Sequence, residues 1–319
     1  MNTEQSPHVI GIDLGGTTIK GGLVAADGSI LYQNKFPTLA DQGPQSVISQ
    51  IALSIRDVRD HANGAIIGGI GIGAPGVVDD EGVVKAPPNF SDWDEVRLKT
   101  EIEKLFPGFP VGVENDANAA AIGEAKYGAG IHHPNFLFVI WGTGVGGGII
   151  LNHKIFRGPT GGAGEIGHIS IDHQGPPCNC GNIGCVEAYV GQRYLSQRTA
   201  ERLNEHPDSK LLEFVQGDAS KIEPYYISQA AHDGDAFARE ILIEAGTLLG
   251  VALAAVMNIL DLRVSIIGGG ISAAGDFVMQ AVEDSVRAHV LKPLRNEIRV
   301  LPAQLGNTAG ILGAAGLVQ

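Results

Sequence analysis

The segment Glu114-Asn115-Asp116-Ala117-Asn118 stands where an apolar run, PVGVEND (110–116), gives way to a stretch rich in Ala and Glu, Ala117 to Lys126. An aspartate at such a strand-to-helix junction can act as a general base, provided an attacking hydroxyl comes within hydrogen-bond reach. The bland alternative is an ordinary N-cap, a task open to Asn115 or Asp116. Asp13-Leu14-Gly15-Gly16-Thr17-Thr18 offers different chemistry. Its glycines let backbone N–H groups approach a phosphate, and its hydroxyls add donors. Asp13, at a strand end, could hold Mg²⁺, generally through water; a hairpin turn with a capping Asp reads the same residues without a ligand. Trp141-Gly142-Thr143-Gly144-Val145-Gly146-Gly147-Gly148 repeats the pattern, and Gly268-Gly269-Gly270 adds a third surface for close approach. Three separated glycine turns, each at a strand end, are hard to ascribe to coincidence.

The cysteines carry a further signal. All three, Cys178, Cys180 and Cys185, fall within eight residues, an odd number for a disulfide framework and a tight cluster of the kind that binds metal. With His168 ten residues upstream they form a Cys₃His set suited to tetrahedral Zn²⁺. Glycines at 181 and 184 permit the sharp knuckle that such close ligands demand. Three reduced buried cysteines are the alternative. His132-His133 is left structural, because adjacent residues rarely chelate alone.

The elements that must position these groups follow from periodicity. Residues 8–36 read as an antiparallel meander with turns at Gly15-Gly16 and Asp27-Gly28, and residues 46–62 as a helix. IIGGIGIGAPG (66–76) reads as a buried strand entering a glycine-rich loop. FLFVIWGTGVGGGIILNHKIFRG (136–158) is a second meander, and its echo of residues 8–24 predicts an internal duplication, against the alternative of two unrelated hairpins. Residues 159–186 are irregular. Helices dominate from Glu187 to Leu260, broken near Asp218 and Asp233-Gly234. A strand over 264–270, a helix from Asp276 to Leu291, a strand over 298–303 and a helix from Thr308 to Leu317 complete the order.

Composition bounds the function. A chain of 319 residues can bury a large core and is expected to form two lobes. The 45 glycines are twice the usual share of ~7% and sit in clusters, which predicts tight turns near ligands rather than flexible linkers. A net charge of −13 argues against nucleic acid or an anionic membrane as a partner, though not against a nucleotide held by backbone amides and Mg²⁺. The N-terminal residues lack the pattern of a secretory signal, and the apolar run Leu248 to Leu260 is short for a membrane span, so it reads as a buried helix. The expected location is the cytoplasm.

Taken together, these motifs resemble the superfold shared by actin, Hsp70 and sugar kinases, and in detail the ROK sugar kinases. The resemblance runs over essentially the whole chain: DLGGT (13–17), ENDAN (114–118), GTGVGGG (142–148), GEIGH (164–168), CNCGNIGC (178–185) followed by Glu187, and GGG (268–270). One departure is Thr18, where many family members carry Lys. The resemblance implies a two-lobed α/β, actin-like ATPase fold with a mixed five-stranded sheet flanked by helices in each lobe. It implies a small lobe of residues 1–118 plus 304–319, a large lobe of residues 119–303 bearing the zinc knuckle, and a hinged cleft. It further implies ATP-dependent phosphorylation of a hexose at the 6-hydroxyl, glucose first, with fructose, mannose, N-acetylglucosamine and N-acetylmannosamine as alternatives. Asp116 would be the general base. Asn89, Asn115, Asp116, Glu165, His168 and Glu187 would bind the sugar. Asp13, Gly15, Gly16, Thr17, Thr143, Gly144, Gly268, Gly269 and Gly270 would hold ATP and Mg²⁺, and His168, Cys178, Cys180 and Cys185 a structural Zn²⁺. Closed homo-oligomers, dimer or tetramer, are the usual expectation. Two rivals belong to other classes. One is a sugar-responsive regulator, disfavoured by the charge and by the lack of a helix-turn-helix before the first strand. The other is a non-catalytic sugar-binding or ATPase-switch protein, disfavoured by the intact ENDAN.

Overall fold

A computed structural model describes residues 6–88 and 90–319. In chain order it begins with β1 (His8–Leu14), β2 (Thr18–Val24), β3 (Ile30–Pro37), α1 (Pro44–Asp60) and β4 (Ile67–Ala74). Three short strands follow, β5 (Val77–Val78), β6 (Val84–Lys85) and β7 (Glu95–Val96), then α2 (Leu98–Leu105), β8 (Val111–Asn115) and α3 (Asp116–Tyr127). The second meander is β9 (Phe136–Trp141), β10 (Val145–Leu151) and β11 (Lys154–Ile155). Helices α4 (Glu187–Val190), α5 (Gln192–Arg202), α6 (Leu211–Phe214), α7 (Pro224–His232) and α8 (Ala236–Leu260) come next. The chain closes with β12 (Val264–Gly268), α9 (Asp276–His289), β13 (Arg299–Pro302) and α10 (Ala309–Ala315).

The chain divides into two compact units. One holds the chain up to Pro134 together with Gly148–Gly164 and Gln304–Gln319; the other holds Asn135–Gly147 and Glu165–Ala303. The boundary expected after residue 118 falls inside α3, which belongs whole to the first unit. The physical reason is close packing of α3 on α10. A side chain at Gly313 would strike the Ala119 carbonyl, and one at Gly123 the Ala309 carbonyl.

In the first unit the sheet order is β3-β2-β1-β4-β8. β1, β2 and β3 pair antiparallel, while β1, β4 and β8 run parallel. Even-numbered residues of β1 (Ile10, Ile12, Leu14) join Val47, Ile51 and Ile55 of α1 in the core on one face. On the other face Val9 and Val24 meet Ile311, Leu312 and Ala315 of α10. This helix lies so close that side chains at Gly11 and Gly71 would meet the carbonyls of Ile311 and Ala314. Part of the glycine excess therefore serves helix-on-sheet packing, a use that clusters of glycine near ligands did not predict.

The other five-stranded sheet has the order β11-β10-β9-β12-β13, with β9, β12 and β13 parallel. Third, second, first, fourth, fifth: the topology of the first sheet recurs, which is the duplication that the paired hairpins predicted. Helix α8 is long and apolar enough, by length and composition, to cross a membrane, yet much of it is buried inside the protein, packed on α7 and α9. Its first turn is capped by Asp235, whose carboxylate accepts the Ala238 N–H at 2.8 Å.

Candidate active site

In the first unit, β8 delivers Asn115 in an extended conformation (φ −58°, ψ 145°), and α3 starts at the next residue. Asn115 is the cap. Its Oδ1 accepts the N–H groups of Ala117 and Asn118 at 3.0 and 3.1 Å, and its Nδ2 donates to the Gly76 carbonyl at 3.0 Å. Asp116 lies exposed at the head of the helix, with Oδ1 accepting the Ala117 N–H at 2.8 Å. A carboxylate at such a junction can accept a proton from a hydroxyl brought within hydrogen-bond reach.

The β1–β2 turn belongs to the same unit. Lys20 reaches across the strand pair to Asp13 at 3.0 Å, both side chains partly covered. Buried Thr38, just past the end of β3, braces the turn: its Oγ1 donates to the Gly15 carbonyl at 2.7 Å and its N–H to the Thr17 carbonyl at 3.0 Å. A side chain at Gly15 would crowd the Thr18 carbonyl, whereas nothing lies within 4 Å of where one would sit at Gly16. Gly16 and Thr17 are exposed. The open side of the turn is thus bare backbone with a hydroxyl beside it, a surface that fits a phosphate.

In the second unit, His168 and the three cysteines present one donor atom each, all within 4.8 Å of one another. Cys180 Sγ to Cys185 Sγ and Cys178 Sγ to His168 Nδ1 both measure 3.7 Å. A tetrahedron with Zn–S bonds of about 2.3 Å has edges of roughly 3.8 Å, so the donor set fits zinc in number, kind and spacing. Burial pushes the Cys185 thiol up to about 12 and the Cys178 thiol above its ordinary value, while the Asn182 N–H holds Cys180 below it. A bound metal would have to displace the thiol protons. With Nδ1 toward the cysteines, His168 turns Nε2 toward Glu165, 3.9 Å away.

Glu187 opens α4, and its Oε2 accepts the Val145 N–H at 2.8 Å. This carboxylate therefore braces the β9–β10 turn. A side chain at Gly144 would run into it, and one at Gly167 would strike the Val145 carbonyl. The Gln192 N–H donates to Gly142 O at 3.0 Å, and Trp141, fully buried, donates from Nε1 to Val190 O at 2.8 Å. Gly269, with φ +98°, lies against the Trp141 backbone, and the Ile271 N–H donates to Trp141 O at 3.2 Å. Trp141 thus brings Thr143-Gly144 and Gly268–Gly270 to one place, and Gly142 and Gly270 leave open space where a side chain would be. Beside Thr143 lies a cavity of about 620 Å³ lined by Gln192, Arg193, Ser196 and Gln197 among others. The buried Ser196 hydroxyl has no hydrogen-bond partner among the described residues.

Against this geometry stand the comparisons with known proteins. Residues 9–319 match the ROK family. The chain belongs to the ROK family. The glucokinase of Thermotoga maritima is 36% identical over 98% of this chain and 97% of its own length. The crystal structure of a ROK family glucokinase from Streptomyces griseus, in complex with glucose and AMPPNP, is 38% identical, covers 98% of this chain and 99% of its own, and superposes with a TM-score of 0.83. The xylose repressor of Bacillus subtilis is 31% identical over 99% of this chain and 78% of its own length. ROK membership brings with it the actin-like ATPase fold, seen here as the twice-used sheet topology.

Within each unit the ROK motifs converge as groups. Asn115 and Asp116 share one junction; Asp13, Gly15, Gly16 and Thr17 share one turn. Glu165, His168 and the cysteines form one cluster, and Thr143, Gly144, Glu187 and Gly268–Gly270 surround Trp141. Asn89 lies outside the described residues. Sequence reasoning missed Lys20 and Thr38 at the first turn, and Glu187 as the brace of the second. The period of two places Lys20 on the Asp13 face of the sheet only once the register is known, and nothing in the sequence links Glu187 to Val145.

Proposed function

We propose that this chain is a hexose kinase that transfers the γ-phosphoryl group of Mg-ATP to the 6-hydroxyl of a hexose, glucose first. The observation that carries this reading is the full-length likeness to a glucokinase that binds glucose and an ATP analogue. In the proposed reaction the hexose O6 attacks the γ-phosphorus, the bond to the bridging β–γ oxygen breaks, and ADP leaves. Asp116 takes the proton from O6. Asn89, Asn115, Glu165, His168 and Glu187 hold the sugar hydroxyls, since carboxylates and amides can each serve more than one. Backbone N–H groups at Gly15, Gly16, Gly144 and Gly268–Gly270, with the hydroxyls of Thr17 and Thr143, receive phosphate oxygens. Asp13 would hold Mg²⁺, which when bound neutralises charge on the β- and γ-phosphates. The cavity beside Thr143, with the unpartnered Ser196 hydroxyl, would take the nucleoside. Zn²⁺, held by His168, Cys178, Cys180 and Cys185, would have no open position; it would fix the His168 ring so that Nε2 faces the sugar. The same reading includes a cytoplasmic setting and a homo-oligomer of two or four chains.

A coupled assay of ADP formation with glucose and Mg-ATP tests the proposal. Glucose-dependent turnover on the order of 1–100 s⁻¹ is expected. Glucose that binds without turnover would point instead to the sugar-responsive regulator, a reading the likeness to a xylose repressor keeps in play.

A further inference from the structure

Of the buried acids that the proposed reaction leaves unused, one adjoins the Asn115-Asp116 pair. Glu114 stands directly before Asn115-Asp116 and is 1% exposed. Its Oε2 accepts Arg157 Nε at 2.5 Å, while its Oε1 accepts the Asn115 N–H at 2.9 Å and Asn118 Nδ2 at 3.0 Å. A carboxylate so far from water is tolerated only when paired and fully hydrogen-bonded, and loss of one partner leaves an uncompensated charge. Arg157 supplies a cation to it. The other two bonds go to the residues that flank Asp116: Asn115, which caps α3, and Asn118, whose buried Oδ1 has no partner among the described residues, so that its bond to Glu114 orients the amide. Arg157 is itself anchored, its carbonyl accepting the Ala163 N–H at 3.1 Å.

We propose that Arg157 is a positioning residue for phosphoryl transfer: by holding Glu114 it fixes the Asn115–Asn118 turn and so the aim of Asp116. The proposal rests on Asp116 being the general base. Displacement of a catalytic group by about 1 Å can cost up to ~10²-fold in rate, so the effect belongs in kcat. Thermal stability falls as well, and a fall in stability alone would mark a purely structural role.

The test is a kinetic double-mutant cycle on the full chain, assayed well below the unfolding midpoint of every variant. Arg157→Met should lower kcat by about tenfold or more with the KM for ATP unchanged, and Arg157→Lys should recover part of it. In an Asp116→Asn background the same Arg157→Met change should cost less than about threefold, because residues acting as a unit are non-additive. Wild-type kcat in folded Arg157→Met, or full additivity with Asp116→Asn, overturns the proposal. Near-normal kcat in Asp116→Asn alone overturns the base assignment instead. If Arg157→Met does not fold, Glu114→Gln/Arg157→Met removes the lone charge, and Arg157→Lys completes the same cycle.

Discussion

On the proposed reading, the absence of a side chain at Gly144 would matter for two ligands at once. The turn would offer backbone to a phosphate, and the space where a Cβ would sit is filled by the Glu187 carboxylate. Gly144→Ala should therefore weaken glucose binding, measured by calorimetry with no nucleotide present, as well as ATP binding. Unchanged glucose affinity in a folded Gly144→Ala protein would show that Glu187 does not contact the sugar from this position. Asp116 is the simpler case. Asp116→Asn keeps the shape and a hydrogen-bonding capacity but removes the proposed proton acceptor, so kcat should fall by about 10²-fold or more with sugar binding largely kept. Single-turnover kinetics beside a glucose titration separate the two effects. The motif residues stood out because their spacing is tight. Their partners did not: Glu187 meets Val145 across 42 residues and Arg157 meets Glu114 across 43. Only the fold sets such pairings.

Among the elements, the Cys178–Cys185 knuckle was the easiest to foresee, since its donors are local except for His168. Cys180→Ser should abolish stoichiometric zinc and lower glucose affinity sharply while ATP binding survives. Elemental analysis of protein never exposed to chelators checks the premise, and full activity without zinc would end the idea. Helix α8 illustrates the opposite. Its apolar run was plain, but the cap that starts it depends on a loop 25 residues upstream, for Asp235 also accepts the Lys210 N–H and the Ser209 hydroxyl, both at 2.7 Å. Burial alone would raise its pKa; the N–H groups of Ala238 and Lys210 and the Ser209 hydroxyl outweigh it and hold the carboxyl below 3.8. A depressed pKa contributes stability above the unfolded value, and that stability is lost as pH falls through the folded one. Asp235→Ala should cost about 1–2 kcal/mol near neutral pH, with the difference from wild type shrinking below pH ~4. Chemical denaturation at two pH values reads this directly, and a pH-independent difference would contradict it.

For the whole molecule, two hairpins of similar pattern foretold two sheets of one topology, and the parallel pairs β1–β4 and β9–β12 complete a relation that neither hairpin carries alone. The limits of the units were less legible. α3 packs on α10, drawn from the far end of the chain, so no local change of composition marks the crossing points. The same packing explains why glycine counts misled in part: Gly11, Gly71, Gly123 and Gly313 make room for helices, not ligands. The central claim is that this arrangement phosphorylates a hexose and prefers glucose. Its most direct test is a panel of glucose, fructose, mannose, N-acetylglucosamine and N-acetylmannosamine at fixed Mg-ATP, ranked by kcat/KM with the products identified. The account predicts glucose at the head of the ranking and phosphate on O6; ADP formation that depends on none of these sugars would contradict it.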